Sequence, residues 1–212
     1  MEIIITSKGH PLYVKGRDLA DYVYNKVWST SSLIDHNHIG VIALKDNQVV
    51  GNINICLDAS NLPCERFFIL KNLSLCGKIK AELCGLAIST DLTRKSRSEV
   101  LLGLVSAVHM FGLKNDIKTY FTIQKSTLFS HLTSKLSYPF QLVLGAEICT
   151  EVIPEDKYWQ CKNKPNLYQV ENFTEETQAA SLVALMKLMQ NGFTLKDITH
   201  EEVISDLLSK VA

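Results

Sequence analysis

The chain has 212 residues, is 46% hydrophobic, and carries 22 Lys plus Arg against 22 Asp plus Glu. That length suits one mixed domain with a substantial core, and zero net charge supplies no overall field for nucleic acid or an anionic membrane, so any anion site is local. No run reaches the ~18–20 apolar residues of a membrane span, and Met1–Ser7 lacks the length and flanks of a secretory signal, so a cytoplasmic protein is expected.

Taken in order, Glu2–Thr6 reads as a short strand broken at Gly9-His10-Pro11. Arg17–Trp28 reads as a helix with Leu19, Tyr22, Val23 and Val27 inward, and Ile39–Leu44 with Val49–Leu57 as a hairpin-like pair around Lys45-Asp46-Asn47-Gln48. Asp58–Lys80 is irregular, with a helix near Glu65–Asn72. In the strand Glu82–Ser89, the residues Leu83, Leu86, Ala87 and Ile88 form the apolar run expected of a strand covered on both faces. A helix then runs from about Arg97 to Leu113, with Val100, Leu101, Leu104, Val105, Val108 and Phe111 at helical spacing. Ile117–Ile123 alternates as a strand, Thr127–Lys135 is a helix, and Phe140–Val152 is a strand pair or one long strand.

The last part of the chain departs from this alternation. Lys157–Tyr168, polar and aromatic with Pro165, reads as a linker or surface turn. Thr174-Glu175-Glu176-Thr177 opens a helix whose acidic first turn suits the helix dipole, and Leu182, Leu185, Met186 and Met189 give it an apolar stripe. Thr199–Val211 repeats the plan with Val203, Ile204, Leu207, Leu208 and Val211 on one side. This helical pair packs on its own core or on a second subunit, which would make a homodimer, and its Met-containing stripe could alternatively meet a ligand or a partner. The six cysteines (Cys56, Cys64, Cys76, Cys84, Cys149, Cys161) show no CxxC spacing and sit mostly in apolar runs, so they read as reduced thiols and no metal site is expected.

Thr93, Arg94, Lys95, Ser96, Arg97 and Ser98 lie between the strand Glu82–Ser89 and its following helix. Cations, hydroxyls and a helix N-terminus meet there, which is how a protein presents backbone N–H groups to a phosphate. The plain alternative is an ordinary connection with Ser96 or Ser98 as N-cap and a solvated basic face.

These residues resemble a known motif. Laid against the acyl-CoA-binding pattern P-x-x-R-G-x-G-x-G-x-x-L-L of the GNAT superfamily of N-acetyltransferases, Thr90–Leu102 fits with Ser96 and Ser98 where glycines usually stand. Ala81–Ser89 (AELCGLAIS) resembles the E-[VIL]-S-x-L-A-[VI] core of the N-acyl amino acid synthases, acyltransferases allied to the acyl-homoserine-lactone autoinducer synthases. Val49–Asp58 and Leu62-Pro63-Cys64-Glu65-Arg66 are similar to that family's G-x-[VI]-x-[LV]-x-x-D strand and L-P-M-E segment, and the likeness covers roughly residues 35–150.

The resemblance implies an α/β (α+β) domain of GNAT-like acyltransferase fold over residues 1–156, with a mixed, mostly antiparallel sheet flanked by helices. Residues 157–212 would be a linker and helical extension packed on that domain or on a partner. It further implies transfer of a fatty acyl group, long-chain in that family, from acyl carrier protein or coenzyme A to the amine of an amino acid or similar small molecule. No cofactor would be tightly bound; the acyl thioester is a co-substrate. Backbone N–H groups of Leu86, Ala87 and Ile88 would meet the pantetheine arm and the thioester carbonyl, and Arg94, Lys95, Ser96, Arg97 and Ser98 the phosphate or an acidic carrier. Glu82 would accept or orient the amine proton, its pKa raised toward a useful value by partial burial at the opening of an apolar strand; an exposed strand-end glutamate is the alternative.

Cys84 is a poorer nucleophile candidate, because an amine attacks a thioester without a covalent enzyme. Ser130 stands where many acetyltransferases have a tyrosine for the leaving thiolate, with His131 a weak substitute. Gly85, and Gly51-Asn52-Ile53-Asn54, stand where the homoserine-lactone branch has arginines, which argues against S-adenosylmethionine as acceptor. Tyr24, Trp28 and Phe67 could line an apolar pocket or simply pack in the core. Two readings from other classes stand beside the enzyme: a non-catalytic acyl-thioester sensor on the same fold, and an interaction module using the C-terminal helices.

Overall fold

A computed structural model of the chain describes residues 1–30, 38–57, 62–70 and 80–199. It has ten strands among the described residues: β1 (Glu2–Ser7), β2 (His38–Lys45), β3 (Gln48–Cys56), β4 (Phe68–Leu70), β5 (Lys80–Ile88), β6 (Thr119–Gln124), β7 (Gln141–Leu142), β8 (Ala146–Ile148), β9 (Asn166–Glu171) and β10 (Thr194–Asp197). The helices are α1 (Pro11–Trp28), α2 (Arg94–Lys114), α3 (Ser126–Leu136), the single turn α4 (Lys157–Gln160) and α5 (Glu175–Gln190). Eight strands form one sheet in the order β10-β1-β2-β3-β5-β6-β9-β7, while β4 and β8 pair separately. Within the large sheet, β1–β10 and β5–β6 are parallel and the other pairings antiparallel.

Each face of the sheet carries a helix layer. On one, Val100, Leu104 and Val108 of α2 pack on Val41, Ile55, Ala81 and Leu83. On the other, α1 approaches closely at Gly16, where a Cβ would stand 2.3 Å from Ile42 Cδ1 and 2.5 Å from Asn52 Oδ1. That approach sets the rotation of α1. Tyr13, Gly16 and Ala20 are buried, whereas Tyr22 and Val27, expected inward, are largely exposed. The helix also begins earlier than its apolar spacing predicts, because Pro11 holds its first turn and His10 Nδ1 caps it by accepting the Leu12 N–H at 3.1 Å.

Other boundaries shift for physical reasons. The helix expected from Arg97 starts at Arg94, capped by Thr93, whose Oγ1 accepts from the Ser96 N–H at 3.2 Å; neither Ser96 nor Ser98 is the N-cap. Of the helix expected near Glu65–Asn72, the described residues form instead a short 3₁₀ turn, Pro63–Arg66, running into β4, and residues 71–72 lie outside the described residues. Phe140–Val152 divides between two sheets, β7 pairing with β9 and β8 with β4. Beyond residue 156, β9 pairs with β6 over its whole length, and Leu167, Tyr168 and Val170 are core. The expected second C-terminal helix, from residue 200 on, lies outside the described residues.

Candidate functional site

The site begins at a split in the sheet. Strands β5 and β6 pair in parallel from Lys80↔Thr119 to Leu83↔Thr122, and no pairing continues beyond. On its other edge β5 follows β3, with one interruption: Gly85 and Leu86 both stand opposite Ile53, a bulge in which Gly85 takes φ +60°. A side chain would not fit there, since a Cβ on Gly85 would lie 2.7 Å from Asn54 Oδ1. Asn52 Nδ2 fixes the bulge by donating to the Gly85 carbonyl at 2.8 Å and to Asn54 Oδ1 at 2.9 Å.

The bulge decides which backbone groups face the split. Ser89 N–H donates to Val50 O at 2.9 Å, so by strand alternation Ala87 also turns its amide to β3 while Ile88 turns its N–H toward the gap. Of the three expected donors, Ala87 is therefore committed to the ladder. Ile88 stays open on that edge, and Leu86 lines the cavity.

The cavity occupies the split, with a volume of about 200 Å³. Toward α2 and α3 its wall is apolar, formed by Leu86, Val105, Leu128, Leu132 and Phe140. Toward α1 it is aromatic and polar, formed by Tyr24, Trp28, Cys84, Lys125 and Tyr158. Of the expected pocket aromatics, Tyr24 and Trp28 line it, whereas Phe67 lies against Trp159 in a separate core cluster, ring centroids 5.1 Å apart. Burial pushes the Tyr24 hydroxyl up to about 12 and the Cys84 thiol well above its ordinary range, so both are neutral at physiological pH.

Two polar groups in this wall escaped the sequence reading. Gln124, 3% exposed, has a buried Nε2 with no acceptor. Lys125, 7% exposed, lies with its Nζ 4.2 Å from the Trp28 ring centre and 5.0 Å from that of Tyr158. The available signal was a Gln-Lys pair closing an apolar strand just before a helix, a place where charged residues more often point to solvent.

Glu82 is not an exposed strand end. It sits inside β5 between Ala81 and Leu83, which face α2, and turns to the opposite face, where its Oε2 accepts the Cys64 N–H at 2.6 Å. It is 3% exposed, and burial pushes its carboxyl up from 4.5 to about 7, against the lowering effect of the Cys64 backbone and thiol donors. Its own side chain does not line the cavity. Cys84, two residues on along the same face, does.

The basic turn lies apart, at the head of α2. Arg94, Lys95 and Arg97 are exposed, and Arg94, Lys95, Ser98 and Glu99 flank a shallow groove closed by Leu102 and Leu136. Helix geometry leaves the first-turn amides of Arg94 and Lys95 without intrahelical acceptors, and Thr93 takes that of Ser96. The turn carries no acidic residue. Ser130 is exposed on α3 and does not line the cavity, nor does His131. Among the described residues, no cluster of His, Cys, Asp and Glu is placed to hold a metal, and no helix is long and apolar enough to cross a membrane.

No protein-family model and no curated protein sequence matches the chain. Solved structures do. The acyl-homoserine lactone synthase LasI superposes with a TM-score of 0.60 at 18% identity, covering 84% of this chain and 92% of LasI. The CoA-dependent acyl-homoserine lactone synthase BjaI, in its structure with SAM and isopentyl-CoA, gives 0.61 at 16% identity and 92% of both chains. FeeM, an N-acyl amino acid synthase from uncultured soil microbes, gives 0.53 at 12% identity, covering 79% of this chain and 94% of FeeM. At such identities the likeness is one of architecture: the chain has the GNAT-like acyltransferase fold, in the form shared by autoinducer synthases and an N-acyl amino acid synthase.

Proposed function

We infer that the protein is an N-acyltransferase that moves a fatty acyl group from an acyl-CoA or acyl-carrier-protein thioester to the amine of an amino acid or similar small molecule. The observation that carries this reading is the split between β5 and β6, with a bulged strand edge on one side and a cavity running through it. An extended pantetheine arm can pair with an open strand edge as an added strand would, and the apolar end of the cavity suits an acyl chain. BjaI, which shares the fold, is a CoA-dependent synthase.

In this reading the amine nitrogen attacks the thioester carbonyl carbon, the C–N bond forms, and the C–S bond breaks. The Ile88 N–H donates to the carbonyl oxygen as it gains charge. Glu82, near neutrality in its buried position on the same face of β5 as Cys84, takes the amine proton through an intervening water and returns it to solvent, and the thiolate leaves with a proton from solvent. Arg94, Lys95 and Arg97, with the hydroxyls of Ser96 and Ser98, attract the donor's phosphate or an acidic carrier.

The test is direct. Purified protein is incubated with acyl-CoA or acyl carrier protein and an amino-acid mixture, and N-acylated products are sought by mass spectrometry. New N-acyl amino acids support the assignment. A bound acyl thioester without product makes the protein a sensor, and failure to bind any thioester removes the reading altogether.

A further inference from the structure

We propose that Lys125 holds the carboxylate of the acceptor, so that this enzyme selects amines that also carry an acid group. The inference rests on the N-acyltransferase reading but adds a site to it. Two buried lysines make the contrast. Lys80 is paired with Glu65 at 2.5 Å. Lys125 is just as buried, yet among the described residues no carboxylate pairs with it. Its ammonium has the Cys161 sulfur at 2.5 Å, the Asn163 carbonyl at 3.3 Å, and the faces of Trp28 and Tyr158.

Cation–π contact lowers the cost of burying an ammonium but does not replace a counterion. A lysine ammonium also has three hydrogens to donate, and two acceptors leave one uncommitted. Position makes that donor useful. Lys125 is fixed at the end of β6 and the start of α3, and it lines the aromatic end of the cavity, away from the apolar wall suited to the acyl chain. Gln124, the neighbouring residue in the same lining, keeps a buried Nε2 without an acceptor. A small molecule with an amine and a carboxylate suits this end of the cavity: its amine faces the thioester while its acid group neutralises Lys125.

Three probes separate the possibilities: phenylalanine, phenethylamine (the same molecule without its carboxylate) and octanoate, a fatty acid without an amine. Binding to the whole protein is followed by calorimetry and by intrinsic tryptophan fluorescence, to which Trp28, its ring centre 4.2 Å from the Lys125 ammonium, contributes beside Trp159. Phenylalanine should bind the native protein roughly 10–100-fold more tightly than phenethylamine, as expected for one charge-assisted pair, and Lys125→Met should erase that preference without weakening phenethylamine. Equal binding of the two amines by the native protein overturns the proposal, with no need for the variant to fold. Lys125-dependent binding of octanoate without binding of phenylalanine overturns it too, and assigns the site to a fatty acid. Turnover reports separately on the underlying reading. Lys125-dependent phenylalanine binding with no N-acyl product leaves the site standing and removes the enzyme, while equal acylation of both amines keeps the enzyme and removes the site.

Discussion

Replacing Glu82 by glutamine should make the protein more stable and less active, and the two effects should diverge with pH. In the unfolded chain Glu82 titrates in the ordinary range near 4.5, whereas burial raises it to about 7 in the folded protein. Below about 4.5 both states carry the neutral acid and folding incurs no penalty. As pH rises toward 7 the unfolded state ionises first, so the stability tied to the protonated carboxyl is lost. Above 7 the folded state holds a carboxylate in a site that disfavours it, and the distance from 4.5 to about 7 corresponds to about 3 kcal/mol. Glu82→Gln removes that penalty. Its Oε1 can still accept the Cys64 N–H, but its amide hydrogens face a weak sulfur acceptor, which returns part of the gain. Urea unfolding should therefore show Glu82→Gln stabilised by ~1–3 kcal/mol at pH 8 and nearly unchanged at pH 4.5. Turnover at pH 8 should fall ~10²–10⁴-fold, with thioester binding preserved and partial recovery at higher pH, where more of the amine is already unprotonated. A variant as stable as the native protein at both pH values refutes the raised carboxyl. Near-native turnover in a folded variant assigns the proton to water or substrate.

Reversing Arg94, Lys95 and Arg97 to glutamate should weaken acyl-CoA or carrier binding strongly and flatten its salt dependence, and titrations at low and high ionic strength check both. Thr93→Ala removes the cap of α2 and should cost about 1 kcal/mol in denaturant unfolding. Gly85→Ala forces a side chain into φ +60° and against Asn54 Oδ1, so it should lose ~1–3 kcal/mol and, by displacing the bulge, lower turnover more than it lowers thioester binding.

The centre of the fold was legible because its chemistry is local. The apolar run of β5, the helical spacing of α2 and the acidic first turn of α5 each report their own surroundings. What misled was tertiary. The face of α1 follows the close approach at Gly16, which its apolar spacing does not record. The strand β9 hides in a polar and aromatic stretch because one sequence, Asn166–Glu171, serves both an interior ladder and its solvent-side residues. The strand β10, Thr-Leu-Lys-Asp, is an exposed edge with almost no apolar signature. Glu82 was legible as a candidate raised by partial burial at the head of an apolar strand, but the Cys64 amide that holds it was not, since it comes from a separate turn. Lys125 and Gln124 carry no motif, and their meaning arises only where the sheet opens.

The two flanks of the sheet are finished by the far end of the chain. Strand β1 has its outer edge covered by β10, with Thr194 N–H donating to Met1 O and Ile198 N–H to Ile5 O, while β6 gains its second partner from β9. During synthesis at ~5–20 residues per second, β1 thus leaves the ribosome roughly 10 s or more before the strand that covers it. In that interval an apolar Ile3-Ile4-Ile5 edge stays open to other chains, and such non-local pairings are slow to form. The nascent protein is therefore vulnerable to aggregation at β1 until β10 is made, and its recovery from denaturant should be limited by the pairing of β1 with β10.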